Sequence, residues 1–560
     1  MLADLKSQIQ SHLESSLRMS FPSETQWPSV ELELPAEKVH GEFSCNIALK
    51  SARILKKSPL DIAAIIARQF EATQEGASFK DKVAKVEVKS PGFINFFLSP
   101  HAFYEILTDV FKDGALYGQS DFGQKKKIQI EFVSANPTGP LSVAHARQAA
   151  VGDALANILN FVGFDARKEY YVNDEGNQIN LLGDSVRIRA RELLNPHSVK
   201  PEELSEDHYH GAYIVDIARQ FIEEKNIKTE EELSKRRSET TPYAVDYLMA
   251  VIKKDLDDFG VRFDTWSYQS KIATRENIER VLQMLKNKNY IYEKDGASWF
   301  QSTVFGDDKD RVVQKSDGSF TYLMPDIVYH KDKFERGFDR LINIWGPDHH
   351  GYIPRIKASV EALGRDKEAL DVLIVQLATI YKEGKAVSMS TRRGQYISLR
   401  EIIDEVGGDA ARFFFLMRHI EAHLDFDLEL AKKETPENPV YYIQYAHARI
   451  HSINKKAESV SLAAKESGFS RLKEEEGIDL IKKLGIFPDT LMFCYYQLDP
   501  FPLVIYLQEL ATLFHKFYDN HRVIDQDLEL SSERLALINA VRIVLANGLR
   551  LLGVSIPEKM

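Results

Sequence analysis

The chain has 560 residues, of which 44% are hydrophobic and 28% are charged, and its formal net charge is -11. This length predicts about two to four globular domains with a full hydrophobic core. The two cysteines, Cys45 and Cys494, are too few for a disulfide framework or a cysteine-rich zinc site. The acidic balance argues only weakly against a nucleic-acid partner, because a local basic track can lie on an acidic protein.

The N-terminal region predicts a small α/β module over residues 1–115. Its first helix, MLADLKSQIQSHLESSL, is amphipathic and lacks the basic and apolar regions of a signal peptide. Short alternating strands, KVAKVEVK and GFINFFLS, flank the turn Ser90-Pro91-Gly92. No stretch of the chain approaches the roughly 20 apolar residues that span a bilayer, so we expect no membrane partner.

Residues 128–163 form the most informative segment, IQIEFVSANPTGPLSVAHARQAAVGDALANILNFVG. The pattern runs from a strand through a Pro/Gly turn into a helix. Backbone N–H groups and the positive end of the helix dipole would face a ligand in the turn, with His145 and Arg147 in the first helical turn. This arrangement predicts a phosphate site for a nucleotide. The alternative is an ordinary unit whose histidine caps the helix.

The rest of the chain predicts a parallel sheet followed by a helical bundle. Between about 119 and 435, strand-like runs at 128–133, 341–345 and 372–377 alternate with helical segments, as in a doubly wound sheet. Residues 175–260 are almost entirely helical and highly charged, and we interpret their charge run as a solvated face. From 436 to 560, apolar residues recur at helical spacing without strands, which predicts a bundle.

The segment WGPDHHGY contains Asp348, His349 and His350, three residue types that can bind metals. Adjacent histidines do not share one face of a regular element, and no cysteine or histidine cluster lies near them in sequence. We therefore expect no protein-bound zinc or other metal site.

The sequence motifs of this chain closely resemble those of class I arginyl-tRNA synthetases. The first signature of that family is matched by ANPTGPL, a following H-x-R and AAVGDALAN. Further segments that are similar to the family occur in the family's order along nearly the whole chain, two before the first signature and six after it. They are HGEFSCNIA, SPGFINFFL, GDDKDRVV, SDGSFTYLMPDIVYH, INIWGPDHHGYIPRIKA, AVSMSTRRG, ENPVYYIQYAHARI and NGLRLLGVSIPEKM. The resemblance implies an N-terminal module for the tRNA elbow over 1–115, a Rossmann-type catalytic domain over 119–435 with a helical insertion, and an anticodon-binding bundle over 436–560.

The first class I signature is His-aliphatic-Gly-His, and its equivalent here is Ser142-Val143-Ala144-His145. The resemblance implies that His145 and Ser142 act in catalysis, and the Ser142 hydroxyl can donate to a phosphate oxygen. The methyl group of Ala144, where the family has glycine, could crowd the adenine. By the same resemblance ATP is bound by Ala135, Pro137, Thr138, Gly139, Pro140, Leu141, Val143, Ala144, Asp348, His349 and His350.

The second class I signature is Lys-Met-Ser-Lys, whose lysines neutralise pyrophosphate. This chain has Ser388-Met389-Ser390-Thr391 at that place, followed by two arginines. Both lysines are absent, so the positive charge must come from neighbours. The resemblance assigns catalysis to Ser390 and Arg392 and ATP binding to Lys385, Met389 and Arg393. Taken alone, the segment could be a basic surface loop.

Recognition of arginine requires a carboxylate, because a guanidinium is a rigid fork of donors that fits a carboxylate in a bidentate manner. Tyr322 and Asp326 are four residues apart and thus on one helical face, and the resemblance implies that they hold the guanidinium. Glu131, Ser134 and Asn136 would bind the α-amino and carboxylate end, with Glu131 alternatively reaching the side chain. The competing interpretation is an ordinary helix start with a satisfied aspartate.

An aromatic cluster on one C-terminal helix suggests contacts with RNA bases. Tyr441, Tyr442, Tyr445, His447 and Arg449 lie together, and such groups stack on single-stranded bases. At least one of the adjacent tyrosines is expected in the core. By resemblance Tyr445, Arg449 and Met560 contact the anticodon loop.

The resemblance implies that the enzyme forms arginyl-adenylate from L-arginine and ATP, with Mg²⁺ carried by ATP, and transfers arginine to the 2′-hydroxyl of the terminal adenosine of tRNA(Arg). It also implies a cytoplasmic monomer that needs tRNA for activation and has no editing site. Two alternatives remain open. One is an adenylyltransferase that does not use tRNA, and the other is a catalytically silent tRNA-binding paralogue, which the altered signatures suggest.

Overall fold

The computed structural model describes residues 2–24, 26–35, 37–72, 81–196, 204–387 and 396–560. The N-terminal part is a four-stranded antiparallel sheet, in the order β1-β2-β4-β3, covered by helices. Its strands are β1 (Leu32–Glu33), β2 (Phe43–Cys45), β3 (Val83–Lys89) and β4 (Phe93–Leu98). Its helices are Leu2–Ser20, Lys38–His40 (3-10), Ile47–Leu55 and Pro59–Ala72. The prediction of a small α/β module is confirmed.

A five-stranded parallel sheet forms the centre of the molecule, in the order β12-β11-β5-β6-β7. The strands are β5 (Lys127–Glu131), β6 (Asp165–Val172), β7 (Thr265–Tyr268), β11 (Arg340–Trp345) and β12 (Leu370–Ile374). Helix Val143–Phe161 follows β5 and packs closely on the end of that strand. A Cβ at Gly152 would lie 2.3 Å from the Phe132 ring, so only glycine permits this approach. The predicted parallel sheet is confirmed.

The described residues between β6 and β7 contain four helices, which agrees with the helical insertion predicted over 175–260. They are Asn177–Leu194, Ala212–Glu224, Glu230–Lys235 and Arg237–Asp258. Between β7 and β11 the chain forms a small antiparallel sheet of β8 (Ile291–Lys294), β9 (Ala297–Phe300) and β10 (Arg311–Gln314). The helices of that part are Gln269–Ile272, Arg275–Asn287, Ser302–Phe305 (3-10) and Leu323–Glu335.

A fourth sheet and several short helices follow β11. The sheet contains β13 (Ala378–Lys382), β14 (Lys385–Ala386) and β15 (Leu424–Asp427), and β13 and β15 run parallel. The helices are Pro347–Tyr352 (3-10), Ile353–Ala362, Lys367–Ala369 (3-10), Leu399–Val406, Gly408–Phe415 and Leu428–Lys432.

The C-terminal part is a bundle of five helices, as predicted from the helical spacing of apolar residues. They are Pro439–Ser459, Glu475–Gly485, Phe487–Gln497, Phe501–Asn520 and Leu528–Leu552. The last helix, of 25 residues, is long and apolar enough to cross a membrane by length and composition, so the prediction that no segment meets this criterion is wrong. Its apolar side chains are largely buried inside the bundle, which explains the composition of a core helix.

The bundle is fixed to the other parts of the chain by buried polar contacts. Helix His101–Asp113, which precedes the 3-10 turn Gly114–Leu116, donates a hydrogen bond from Tyr104 Oη to the Leu472 carbonyl at 2.8 Å. Arg412 contacts Asp153 at 2.5 Å and also donates to the carbonyl of Leu552 at 3.1 Å. Charged and neutral groups of the sheet domain therefore hold the end of the last bundle helix.

Candidate active site

A two-lobed cleft opens at the carboxyl ends of the parallel strands, where ligands bind in sheets of this type. Its lobes have volumes of about 860 and 700 Å³. The second lobe is lined by residues that close or directly follow four of the strands: Glu131, Asn173, Gly346 and Val375. Five residues line both lobes: Ala135, Asn136, Ser142, His145 and Asp348. Four of them belong to the first signature, which therefore lies at the boundary between the lobes.

The turn after β5 has strained backbone. Val133 and Ser134 adopt positive φ angles of 67° and 41°, which is rare for a β-branched residue such as valine. Conformations of this kind cost about 1–3 kcal/mol each and persist where neighbouring structure enforces them. Here Tyr170 Oη donates to the Ala135 carbonyl at 2.9 Å and thereby holds the turn against β6. The bend directs the Ser134 and Asn136 side chains toward the cleft.

His145 both caps the helix and lines the cleft, so the two interpretations of the sequence are compatible. Its Nδ1 accepts the Ser142 backbone N–H at 3.1 Å, and the Ser142 hydroxyl lies 3.2 Å from the same atom. Burial lowers the pKa of His145 to about 4, so the ring is neutral at pH 7. Because Nδ1 is an acceptor, the proton lies on Nε2, which is left as a donor. The Ser142 hydroxyl, predicted to contact a phosphate, is engaged by His145 instead.

Arg147 does not face the turn, although the sequence suggested that it would. Its side chain is fully buried, and its guanidinium donates to the carbonyls of Gln376 at 2.7 Å, Ala422 at 2.9 Å and His419 at 3.0 Å. The helix begins at Val143, so Arg147 lies beyond its first turn and points toward the sheet domain interior. It fixes the signature helix to the segments that follow β12 and precede β15.

The helical insertion clamps the Pro/Gly turn from the other side. Tyr213 Oη donates to the Thr138 carbonyl at 2.8 Å, and Asn136 Nδ2 donates to Gln178 Oε1 at 2.6 Å. Tyr396 Oη donates to the Pro140 carbonyl at 2.9 Å. A Cβ at Gly139 would lie 3.0 Å from the Tyr213 hydroxyl, so a side chain there would crowd the clamp.

The structure places most of the predicted ATP residues of the first signature at the cleft, but not all. Ala135, Thr138, Gly139, Pro140 and Ala144 line one or both lobes. Pro137, Leu141 and Val143 are buried in the interior instead. The backbone N–H of Leu399 donates to the Leu141 carbonyl at 2.7 Å, and the Val143 N–H donates to the Ile397 carbonyl at 3.3 Å. This pairing turns the side chains of Leu141 and Val143 into the core.

Asp326 and Tyr322 lie together in the second lobe, as the four-residue spacing predicted. Tyr322 stands at the mouth with 70% of its surface exposed, directly before helix Leu323–Glu335. Tyr352 Oη donates to Asp326 Oδ2 at 2.5 Å. Burial raises the pKa of the Asp326 carboxyl to about 7, even though the Tyr352 hydrogen bond acts in the opposite direction. A cation bound next to Asp326 would favour the ionised form of this carboxyl and lower its pKa again.

Glu131 is already paired, unlike Asp326. Its Oε2 lies 2.5 Å from the ammonium group of Lys333, and its Oε1 accepts the Ser134 hydroxyl at 3.0 Å. Lys333 and Tyr352 were not among the sequence candidates. A signal for Lys333 exists, because it follows Asp326 by seven residues and so lies on the same helical face.

The loop after β11 is exposed at the cleft. Asp348 lines both lobes, His349 lines the second, and their side chains lie 3.5 Å apart. His350, also predicted to bind ATP, is exposed on the same 3-10 helix. Across the ranges that the structure describes, no group of three histidine, cysteine or acidic residues is arranged to hold a metal ion.

Most of the second signature lies outside the described residues. Met389, Ser390, Arg392 and Arg393 fall in the range 388–395, outside the described residues. Lys385 is described, and it is exposed on strand β14.

The aromatic cluster of the bundle is half-buried. The rings of Tyr441 and Tyr445 stack at 6.2 Å with 9° between their planes, and Tyr445 also stacks with His515 at 5.9 Å. The guanidinium of Arg449 lies 4.8 Å from the Tyr518 ring. His447, by contrast, is buried and bonds to the Pro557 carbonyl at 3.0 Å, so it belongs to the core. Met560 is half-exposed.

Comparisons with known proteins agree with this architecture along the whole chain. Three family profiles match in order: "Arginyl tRNA synthetase N terminal domain" over residues 4–98, "tRNA synthetases class I (R), catalytic domain" over 106–416, and "DALR anticodon binding domain" over 443–560. The arginine–tRNA ligase of Syntrophotalea carbinolica is 46% identical over 540 residues, covering 95% of each chain. That of Bacillus subtilis is 45% identical over 547 residues, covering 97% of each chain.

The fold itself is similar to that of solved synthetases. The Thermus thermophilus arginyl-tRNA synthetase superposes with a TM-score of 0.70, covering 98% of this chain and 100% of the other at 19% identity. The catalytic-domain profile alone spans more than half of the sequence, and the curated relatives exceed 40% identity at nearly full coverage. The chain therefore belongs to the class I arginyl-tRNA synthetase family.

Proposed function

We propose that the reaction of this arginine–tRNA ligase takes place in the two-lobed cleft, where L-arginine is joined to ATP before arginine passes to the 2′-hydroxyl of the terminal adenosine of tRNA(Arg). The observation that carries this proposal is that one continuous cleft contains a buried carboxylate, Asp326, whose hydrogen-bond partner is a tyrosine rather than a cation, and a helix N-terminus that bears His145. In the first step an arginine carboxylate oxygen attacks the α-phosphorus of ATP and pyrophosphate leaves. No enzyme nucleophile is required, so the side chains position the reactants and neutralise charge.

ATP is proposed to lie along the signature turn, with its phosphates at the N-terminus of helix Val143–Phe161. The Nε2–H of His145 would donate to a phosphate oxygen, while Ser142 holds the ring in place. Mg²⁺ would arrive on the ATP phosphates. The remaining positive charge toward pyrophosphate is assigned, by resemblance, to Lys385, Arg392 and Arg393, with Ser390 and Met389 in the same segment.

Arginine is proposed to occupy the second lobe. Asp326 would accept the guanidinium, with Tyr352 orienting the carboxylate and Tyr322 covering the mouth. Ser134 and Asn136 would bind the amino-acid end of the substrate. Glu131 would form the wall between the two ends, since both of its oxygens already have partners.

The division into residues 1–115, 119–435 and 436–560 is proposed as the functional organisation. The first part would contact the tRNA elbow, and the bundle would bind the anticodon loop through Tyr445, Arg449 and Met560. We also propose that the enzyme acts as a cytoplasmic monomer.

The reaction is tested by supplying total tRNA with each amino acid in turn and measuring aminoacylation, together with pyrophosphate exchange with and without tRNA. We expect charging with arginine alone and exchange only when tRNA is present. Exchange without tRNA would favour an adenylyltransferase that does not use tRNA. Intact tRNA binding without charging would contradict the activity of the family and indicate a silent paralogue.

The affinity for arginine should fall as the pH is lowered below about 7. The guanidinium binds the ionised form of Asp326, and burial raises the pKa of this carboxyl to about 7. Each further pH unit below that value should weaken binding roughly tenfold, because the ionised fraction falls by that factor. His145 stays neutral over this range, since its pKa is lowered to about 4.

Calorimetric titration of L-arginine into the full chain between about pH 6 and about pH 8 measures this dependence. Other groups facing Asp326 are Tyr171, Tyr352, Arg355 and the Glu131–Lys333 pair. Burial raises the pKa of both tyrosines, so they stay neutral over the range. In Asp326→Asn the pH dependence should disappear. A profile that persists in that variant would assign the titration to another group.

Tyr445→Ala should weaken tRNA binding without unfolding the enzyme. Tyr445 is half-buried in a stack with Tyr441 and His515, so one part of its ring is accessible to a base. Loss of a stacking aromatic costs about 1–3 kcal/mol of RNA affinity. We expect a raised KM for tRNA with a nearly unchanged Tm. Tyr496→Ala, which removes an exposed tyrosine from another bundle helix, is the control. Early melting with normal charging at low temperature would show that Tyr445 is a core residue.

A further inference from the structure

The buried ammonium group of Lys333 lies at the centre of a polar network beneath the arginine lobe. Its side chain is fully buried and contacts Glu131 Oε2 at 2.5 Å, Asn343 Oδ1 at 3.1 Å and the Tyr329 ring at 4.2 Å. A lysine is almost never buried in this way unless its charge is compensated. Glu131, which is 7% exposed, supplies that compensation.

The network continues from Lys333 to Asp326 through neutral groups. Asn343 Nδ2 lies 3.0 Å from His330 Nε2, and His330 Nδ1 lies 2.8 Å from the Asp326 backbone carbonyl. Burial lowers the pKa of His330 to about 3, so this ring is neutral at pH 7. Asp326, His330 and Lys333 share one face of helix Leu323–Glu335.

The buried charges in this region are therefore one ion pair, Glu131 with Lys333, and one carboxylate without a cation partner, Asp326. Glu131 and Lys333 cancel each other within the protein interior. Asp326 has a tyrosine as its hydrogen-bond partner rather than a cation. The nearby Arg355 is only half-buried and stacks on the Tyr352 ring at 4.6 Å, where water screens its charge.

We propose that Lys333 is a specificity-determining residue that acts through Glu131. By neutralising Glu131, it leaves the buried part of the arginine lobe with one carboxylate that has no cation partner, Asp326, matched to the single charge of a guanidinium. Asp348, the other carboxylate that lines this lobe, is exposed to solvent. This inference rests on the proposal that arginine occupies this lobe. Lys333 itself is a positioning residue, because it is buried beneath the lobe and is not among the residues that line it.

The pairing of Glu131 with Lys333 predicts that a second substitution, at Lys333, restores the arginine affinity that a substitution at Glu131 removes. In Glu131→Gln the Lys333 charge is no longer cancelled, so it offsets Asp326 and the buried part of the lobe loses its net negative charge. L-Arginine should then bind about tenfold more weakly or worse, the effect of one unit charge across a few ångströms of protein interior. Adding Lys333→Met removes the excess positive charge, and the double variant should recover affinity to within about threefold of the wild type.

Calorimetry with L-arginine as the probe measures the affinities, and thermal melting of each full-length variant checks its folding. The pH midpoint of arginine binding provides a second readout. It should move to lower pH in Glu131→Gln and return in the double variant, because an uncompensated positive charge favours ionised Asp326. Lys333→Met alone leaves Glu131 buried without its partner and is expected to be unstable, so the double variant carries the test.

If the double variant binds arginine as weakly as Glu131→Gln, Glu131 contacts the substrate directly and the proposal for Lys333 is wrong. Full affinity in Glu131→Gln would equally overturn it, because the pair would then have no influence on the lobe. Failure of the underlying site assignment gives a different result: Asp326→Asn would bind arginine normally.

Discussion

Asp326→Asn is expected to raise the KM for arginine by about 100-fold or more while leaving the affinity for ATP nearly unchanged. The carboxylate is buried, and among the described residues Tyr352 is the one side chain that donates a hydrogen bond to it. Replacing it with an amide would leave a guanidinium in the lobe without a countercharge. Breaking a buried charge pair in this way costs about 3–5 kcal/mol, and about 1.4 kcal/mol corresponds to a factor of ten.

Steady-state charging with varied arginine measures this effect, and direct ATP binding measures the other half of the prediction. Glu335→Gln is a matched control, since it removes a carboxylate from the exposed side of the same helix, where it pairs with Lys331. The control should behave as the wild type. An unchanged KM in Asp326→Asn would remove the arginine site from the second lobe, and an equal loss of ATP affinity would suggest general damage to the cleft.

Much of the fold follows from sequence patterns because those patterns have local physical causes. Strand β5, with its Pro/Gly turn and following helix, is encoded within residues 128–163. The bundle follows from apolar spacing alone. The placement of Asp326 and Tyr322 in the same lobe follows from their separation on the chain and the start of a helix between them. In each case the interacting residues are close in sequence.

The parts of the site that could not be predicted depend on contacts between distant segments. The pairing of Lys333 with Glu131 joins β5 to a helix 202 residues away. It changes the role expected for Glu131, because a carboxylate that is already neutralised is a poor partner for a second cation. Similarly, the residues of the insertion that clamp the turn, Tyr213 and Gln178, carry no local signal for that contact.

His145 and Arg147 illustrate the limit of local reasoning within a single motif. Both lie near the start of one helix, but a separation of two residues turns their side chains to different directions. His145 lines the cleft, whereas Arg147 is buried against three carbonyls from residues 376–422. One of those carbonyls belongs to His419, whose ring contacts Asp499 of the bundle at 2.9 Å. Arg147 thus connects the signature helix to segments that contact the bundle.

Arg147→Met should therefore destabilise the enzyme and impair its chemistry together. The carbonyls of Gln376 and Ala422 would lose the donor that Arg147 supplies, and each buried carbonyl without a donor costs about 1–3 kcal/mol, so the Tm should fall clearly. The His419 carbonyl keeps the Ala422 backbone N–H as a donor at 2.9 Å. At low temperature, where the variant stays folded, we expect a reduced kcat with little change in ATP affinity, because the helix bearing His145 is no longer fixed to its neighbours.

Thermal melting and ATP binding distinguish this role from a contact with a phosphate in the turn. If Arg147 contacted a phosphate, the substitution would weaken ATP binding and leave the Tm unchanged, since an exposed site residue contributes little to folding. Arg219→Met, which removes an exposed arginine paired with Asp216 on the insertion, controls for the loss of an arginine as such. Arg147→Lys sharpens the comparison further. A lysine retains the charge but not the planar fork that reaches several carbonyls at once, so it should restore only part of the Tm if the buried contacts are what matters.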